Sequence, residues 1–198
     1  MDFKNSETKK NLMRAFAGES QARNRYTFGA ELAKEQKLYV IEKVFLFTAN
    51  QEKEHAEIFY NHLKEETGEN IEIDAAYPVN VSESVEKLLT FAVDNEYDEY
   101  NVVYKNFADI ADGEGFKQIA ASFRNIAEIE RIHGERFKCF AELLQKGKLF
   151  TCDEEEKWMC LNCGHVINIR EVPPYCPVCG KEQGHFIRIN MAPYTKRE

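Results

Sequence analysis

Glu130-Arg131-Ile132-His133, with its counterpart Glu52-Lys53-Glu54-His55, twice places a carboxylate three residues before an imidazole. Residues three apart share a helical face, so each pair can offer both groups to one metal ion. One such motif on a Glu-rich helix is usually a surface pair. Here there are two, and Glu19 and Glu96 stand on other helical stretches. From about residue 5 to 148 apolar residues recur every three or four positions, and the only proline is Pro78, the pattern of long amphipathic helices.

Four helical segments are expected, at 5–36, 38–66, 82–112 and 115–146, with Ser82 as the N-cap of the third. Short breaks at Gln36-Lys37 and at Asp112-Gly113-Glu114-Gly115 make each pair of helices an antiparallel hairpin. The stretch from Thr67 to Val81, with Gly68 and Tyr77-Pro78, reads as extended and long enough to run the length of a bundle. Glu19 lies about 17 residues before the first break and Glu52 about 15 after it; Glu99 lies about 14 before the second and Glu130 about 16 after it. At about 1.5 Å per residue these offsets differ by only a few ångströms, so the acidic sets meet at one depth. The fold class is mainly α, a four-helix bundle with one long crossover, which is the ferritin-like arrangement.

Several ionised carboxylates cannot share a bundle interior without cations, whereas two metal ions would neutralise them. Two ExxH motifs plus a glutamate from each remaining helix is the donor set of di-iron and di-manganese carboxylate proteins. Oxygen-rich ligation with one imidazole per metal suits iron or manganese over a softer metal. Glu99, on the face of Glu96, is a surplus carboxylate that could trade places with His55 as the metal charge changes. Tyr26, seven residues after Glu19, and Tyr104, eight after Glu96, fall near the ligand face, where they could hydrogen-bond ligand carboxylates. His62 is read as a packing or surface histidine.

After Gly147 the chain changes character. Cys160-Leu-Asn-Cys163 and Cys176-Pro-Val-Cys179 form two CxxC knuckles that bring four thiolates to the corners of a tetrahedron, a geometry for iron or zinc. Gly164 and Gly180 follow the knuckles where the backbone must turn with φ > 0. Short β-prone pieces at 165–169 and 185–189 alternate with turns, and Pro173, Pro174 and Pro177 stiffen the intervening loop. Two domains are expected, 1–148 as the metal-binding bundle and 149–198 as a small β/loop module held by its metal. A zinc ribbon serving structure alone is the alternative for the tail. Cys139 and Cys152 read as ordinary free thiols.

The 198 residues carry a net charge of −8 with no basic run to track a phosphate backbone, so nucleic acid is not an expected partner. No hydrophobic leader opens the chain and nowhere do eighteen apolar residues run together, so no membrane association and a cytoplasmic location are expected.

With both metal motifs present, the chain resembles a rubrerythrin across essentially its whole length. The resemblance rests on Gly18-Glu19-Ser20-Gln21-Ala22-Arg23-Asn24-Arg25-Tyr26, the two ExxH motifs, Glu96 and Glu99, and the rubredoxin-like Cys160, Cys163, Cys176 and Cys179. It implies two non-haem irons in the bundle and one tetrathiolate iron in the tail. The implied di-iron ligands are Glu19, Glu52, Glu96, Glu130, His133 and either His55 or Glu99, with Glu52 and Glu130 bridging. The implied activity is reduction of hydrogen peroxide to water, protecting anaerobic or microaerophilic cells. Electrons would enter through the tail from rubredoxin or an NAD(P)H-dependent reductase, since no strand-associated GxGxxG is present. A head-to-tail homodimer, with the crossover either kept within one chain or exchanged, is also implied. The competing readings are a ferroxidase or iron-handling protein, an oxygen-reducing oxidase, and a zinc-bearing scaffold without redox chemistry.

Overall fold

In the computed structural model, which describes residues 2–195, helix α1 (Glu7–Glu35) begins where the Ser6 hydroxyl accepts the Lys9 amide at 3.1 Å. Its first free N–H groups, those of Glu7 and Thr8, donate to the carboxylate of Glu114 at 2.9 and 2.8 Å. A residue at the far end of the third bundle helix thus completes the start of the first. Residues 1 and 196–198, the outer ends of the two expected domains, lie outside the described residues.

Lys37 turns the chain with φ 59°, and α2 (Tyr39–Asn61) returns antiparallel to α1. The crossover has neither helix nor strand from residue 69 to 84. It stays extended along α1: Asp74 pairs with Arg14 at 2.7 Å, the Tyr77 hydroxyl donates to the Arg14 carbonyl at 2.7 Å, and the Glu83 carbonyl accepts from Gln36 at 3.0 Å. From Arg14 to Gln36 a helix rises about 33 Å. Nine extended residues from Asp74 to Glu83 reach about 30 Å, so the crossover has little slack.

The cap of the third bundle helix differs from expectation. Helix α3 (Val85–Asp98) starts at Ser84, whose hydroxyl accepts the Lys87 amide at 3.3 Å. Ser82 sits two residues too early and accepts the Ser84 amide instead, at 3.1 Å. A π-helical turn, Glu99–Val103, joins α3 to α4 (Tyr104–Glu114) without a break, and α5 (Lys117–Gln145) completes the bundle.

Each bundle helix has a buried acidic residue beside buried apolar ones. On α1 Glu19 lies between Ala15 and Ala22; on α2 Glu52 and His55 lie between Ala49 and Phe59. Glu96 follows Ala92 on α3, and on α5 Glu130 and His133 lie between Ala127 and Phe137. The flanking residues belong to two separate apolar clusters. One holds Tyr26, Phe45, Phe137 and Phe140, the other Leu12, Phe59, Tyr104 and Phe123. A polar layer is therefore sealed above and below, which removes water from it and strengthens every charge interaction inside.

The tail forms an antiparallel sheet of order β2-β1-β3, with β1 Thr151–Cys160, β2 Val166–Glu171 and β3 Phe186–Arg188. Trp158 is fully buried in its centre, with its indole N–H donating to the Ile169 carbonyl at 2.9 Å. The sheet docks on the α1–α2 turn and the end of α5. The Tyr39 and His185 rings stack at 4.0 Å, Arg188 donates to the Lys148 and Thr151 carbonyls at 2.9 and 2.8 Å, and Ile187 enters the bundle core. Gly184 makes this seat possible, since a Cβ there would lie 1.8 Å from the Lys37 carbonyl oxygen. Backbone on both sides leaves no flexible side chain to yield. Gly184→Ala is therefore expected to cost about 1–3 kcal/mol as the surfaces separate. Hydrogen exchange faster than wild type at Leu161, whose amide donates to the His185 carbonyl at 2.8 Å, would check this, and unchanged exchange would refute it.

Candidate metal centres

In the bundle, the two ExxH imidazoles face each other across a box of four carboxylates. Each is held three residues from its own glutamate by helical geometry. The rings lie 5.5 Å apart and nearly parallel, at 14°. His55 Nδ1 is 3.2 Å from Glu52 Oε2 and 2.9 Å from Glu130 Oε1, while His133 Nδ1 is 2.9 Å from both Glu52 Oε1 and Glu130 Oε2. Glu52 and Glu130 thus turn one oxygen toward each histidine. Glu19 closes the His55 half at 3.7 Å, and Glu96 closes the His133 half at 3.5 Å. The two sets, Glu19–Glu52–His55–Glu130 and Glu52–Glu96–Glu130–His133, each bring their ligand atoms within 4.8 Å of one another.

The tyrosines cross between the halves. Tyr26 on α1 donates to Glu96 Oε1 on α3, and Tyr104 on α4 donates to Glu19 Oε1 on α1. Each terminal carboxylate therefore has one oxygen held by a phenol and the other turned into the box, which fixes its orientation.

The interior oxygens are short of partners. Glu19 Oε2, Glu96 Oε2, both oxygens of Glu52 and Glu130, and both Nδ1 atoms are buried without a hydrogen bond, although they lie close to one another. Such a concentration of orphaned lone pairs is costly unless cations sit among them. Protons otherwise take that place. Burial pushes Glu19 up to about 8 and raises Glu96, while at Glu52 burial is outweighed by His133 and His55, which hold it at about 2. Burial opposes charge on His55 and His133 as well, but the carboxylates raise them to about 10 and 11. Metal binding must displace these protons.

In the tail, the sulfurs of Cys160 and Cys179 are 3.8 Å apart and those of Cys163 and Cys176 are 3.7 Å apart. A tetrahedron with metal–sulfur bonds of about 2.3 Å has edges of about 3.8 Å. The knuckles repeat one geometry: Gly164 N donates to Cys160 O at 2.8 Å, Gly180 N to Cys176 O at 2.9 Å, and both glycines have positive φ, 76° and 70°. The Lys181 amide favours the Cys179 thiolate most, and that thiol falls to about 6.

These arrangements agree with what the chain is similar to. The rubrerythrin family model matches residues 10–141, and the model described as the rubrerythrin rubredoxin-like domain matches 158–187. Rubrerythrin of Clostridium perfringens is 45% identical over 93% of this chain and 95% of its own, and that of Porphyromonas gingivalis is 43% identical over 93% and 90%. The chain belongs to the rubrerythrin family. Among solved structures, nigerythrin in a mixed-valence state superimposes with a TM-score of 0.62 at 26% identity, covering 93% of this chain and 90% of that one. As a rubrerythrin-family member, the chain is an iron-dependent oxidoreductase with two non-haem irons in a carboxylate-bridged site and one iron at four cysteines.

Glu99 belongs to neither ligand cluster. It is partly exposed, at the start of the π turn, and burial followed by the charges of Glu19 and Glu96 raises its carboxyl well above the ordinary range. His62 lies away from the site, 2.9 Å from the Ser122 hydroxyl. Cys152 points at the Ile169 and Arg170 carbonyls, and Cys139 is exposed. Among the described residues, no helix is long and apolar enough to cross a membrane.

Three features are not legible in the sequence. The π turn has no composition of its own, and Arg25 was read only as part of a motif run. Strand β1 was also underestimated, because Asp153-Glu154-Glu155-Glu156 is poor strand sequence. These acids are largely exposed while Trp158 fills the core.

Proposed function

We propose that this protein reduces hydrogen peroxide to water, with electrons entering through the four-cysteine iron. The observation that carries this reading is the bundle box itself, with two imidazoles 5.5 Å apart sharing Glu52 and Glu130. In this reading Glu19 and His55 would hold one iron, Glu96 and His133 the other, and Glu52 and Glu130 would be shared by both. When bound, the iron pair supplies two electrons at once, matching H2O2 + 2e⁻ + 2H⁺ → 2H2O. The side chains hold the pair together, fix the terminal carboxylates through Tyr26 and Tyr104, and keep bulk water out by the apolar clusters on either side. Glu99, partly exposed beside the box, would be the carboxylate that trades places with His55 as the metal charge changes.

The tail module stacks on Tyr39, thirteen residues from Glu52, or about 20 Å along α2. The protein is read as a homodimer in which head-to-tail pairing would bring one chain's tail iron closer to the other chain's box. Rubredoxin or an NAD(P)H-dependent reductase is the expected donor.

Peroxide consumption measured anaerobically alongside oxygen release tests the reaction. Two electrons consumed per peroxide with no oxygen evolved is the expected result, and oxygen evolution would replace reduction by disproportionation. His55→Ala tests the exchange. The oxidised spectrum should stay near normal while the reduced state becomes less stable, and an unchanged midpoint potential in a redox titration would count against it.

A further inference from the structure

A cavity of about 320 Å³ lies under the crossover, between α1 and the π turn. Its rim is exposed, formed by Ala75 and Ala76 of the crossover, Val102 and Asn106. Its floor is buried, formed by Gly18 and Tyr104, and Tyr104 is the phenol that holds Glu19. Glu99 lines it as well. The cavity thus runs from exposed residues to one, Tyr104, that is a single hydrogen bond from the box.

The π turn contributes to this opening. Tyr104 N donates to the Glu99 carbonyl five residues back, and the wider turn accommodates one residue more than an α turn, a departure common at functional sites. Val102 and Glu99 both lie on it.

Arg25 supplies a second, independent observation. It lines the same cavity, and its Nε and Nη1 are buried with no hydrogen-bond partner. A guanidinium has donors only, and buried donors left unmet are costly. Arg14, the other arginine on the cavity wall, is satisfied by Glu7 and Asp74. One wall therefore offers free donors, and Glu99, which lines the same cavity, offers a carboxyl oxygen that accepts in either protonation state.

We propose that this cavity is the inlet of the di-iron centre and that Arg25 is its peroxide-binding residue, an assignment that rests on the peroxidase reading. Hydrogen peroxide accepts from Arg25 and donates an O–H to Glu99. Dioxygen has no O–H to donate, so the inlet favours peroxide over oxygen by hydrogen bonding rather than by size. Among the six clustered ligand residues, His55 shows the most surface, 4%, which makes its side the alternative door.

Two variants separate the possibilities in anaerobically reduced, iron-loaded full-length protein. Arg25→Met should lower the second-order rate with hydrogen peroxide about tenfold and leave the rate with oxygen unchanged, because only the hydrogen bonds are lost. Val102→Trp, at the half-exposed rim, should slow both by filling the opening, with the visible spectrum of the oxidised protein unaltered. Peroxide rates within twofold of wild type in both variants would overturn the inlet and leave the His55 side as the route. If wild type itself reacts no faster with peroxide than with oxygen, the peroxidase reading fails separately. The inlet is then decided in zinc-loaded protein, where titrated hydrogen peroxide should shift the Arg25 Nε–H resonance and shift it less in Val102→Trp. An unmoved resonance would overturn the assignment.

Discussion

Cys160→Ser should abolish turnover driven by an external reductase while leaving a chemically reduced bundle able to react once with peroxide. Cys160 is fully buried and its sulfur faces Cys179 at 3.8 Å. Serine keeps the backbone bonds of its knuckle, from Cys160 N to His165 O and from Gly164 N to Cys160 O, so the fold of the module is expected to persist. What changes is the fourth donor, from a soft thiolate to a hard, poorly ionised hydroxyl. Losing an outer-shell partner of a metal ligand costs roughly 10–100-fold in affinity or activity, and losing a ligand itself should cost more. Steady-state assays with reductase, set beside single-turnover reactions of dithionite-reduced protein, separate electron delivery from chemistry. Full steady-state turnover in the variant would mean that electrons bypass the tail.

Glu130→Ala should strip the bundle of its metal pair. Glu130 places one oxygen 2.9 Å from each histidine's Nδ1, so its removal withdraws a donor from both halves at once. A terminal residue such as Glu19 serves one half only. The variant is expected to retain the tail iron, giving about one iron per chain by metal analysis instead of three, with no measurable peroxide reduction. The alanine also leaves a void between the two apolar clusters, beside the facing histidines. A large-to-small change in a packed interior costs about 2–5 kcal/mol, so thermal unfolding should shift downward even in metal-free protein. Glu130→Gln, which fills the void without the charge, should recover part of that stability and none of the metal. Retention of two bundle irons in either variant would remove Glu130 from the bridging position.

Much of this was readable because ligand spacing and helix geometry act together. Glu52 and His55 need only three-residue spacing to share a face, and the four acidic levels need only helix rise to coincide. The knuckles likewise carry their geometry locally, in Gly164 and Gly180. Features set by tertiary contact were not readable. Ser82 and Ser84 are equivalent as residue types, and the path of the crossover along α1, through Asp74 and Tyr77, decides which one caps. The acidic stretch of β1 is strand because Trp158 and Cys160 anchor it between β2 and β3, against its own propensity. The π turn that begins at Glu99, and the cavity that Glu99 lines, likewise have no signature in local composition. Gly184 looks like any loop glycine until the Lys37 carbonyl is brought against it.

The central claim is a coupled pair of iron centres whose preferred oxidant is peroxide. Its most direct test is the visible absorption of anaerobically reduced protein, followed in stopped flow after one equivalent of hydrogen peroxide and, separately, of oxygen. Rapid return of the ferric-thiolate and di-iron bands with peroxide, much faster than with oxygen, is the predicted result. Faster oxidation by oxygen, or no bands at all, would contradict it.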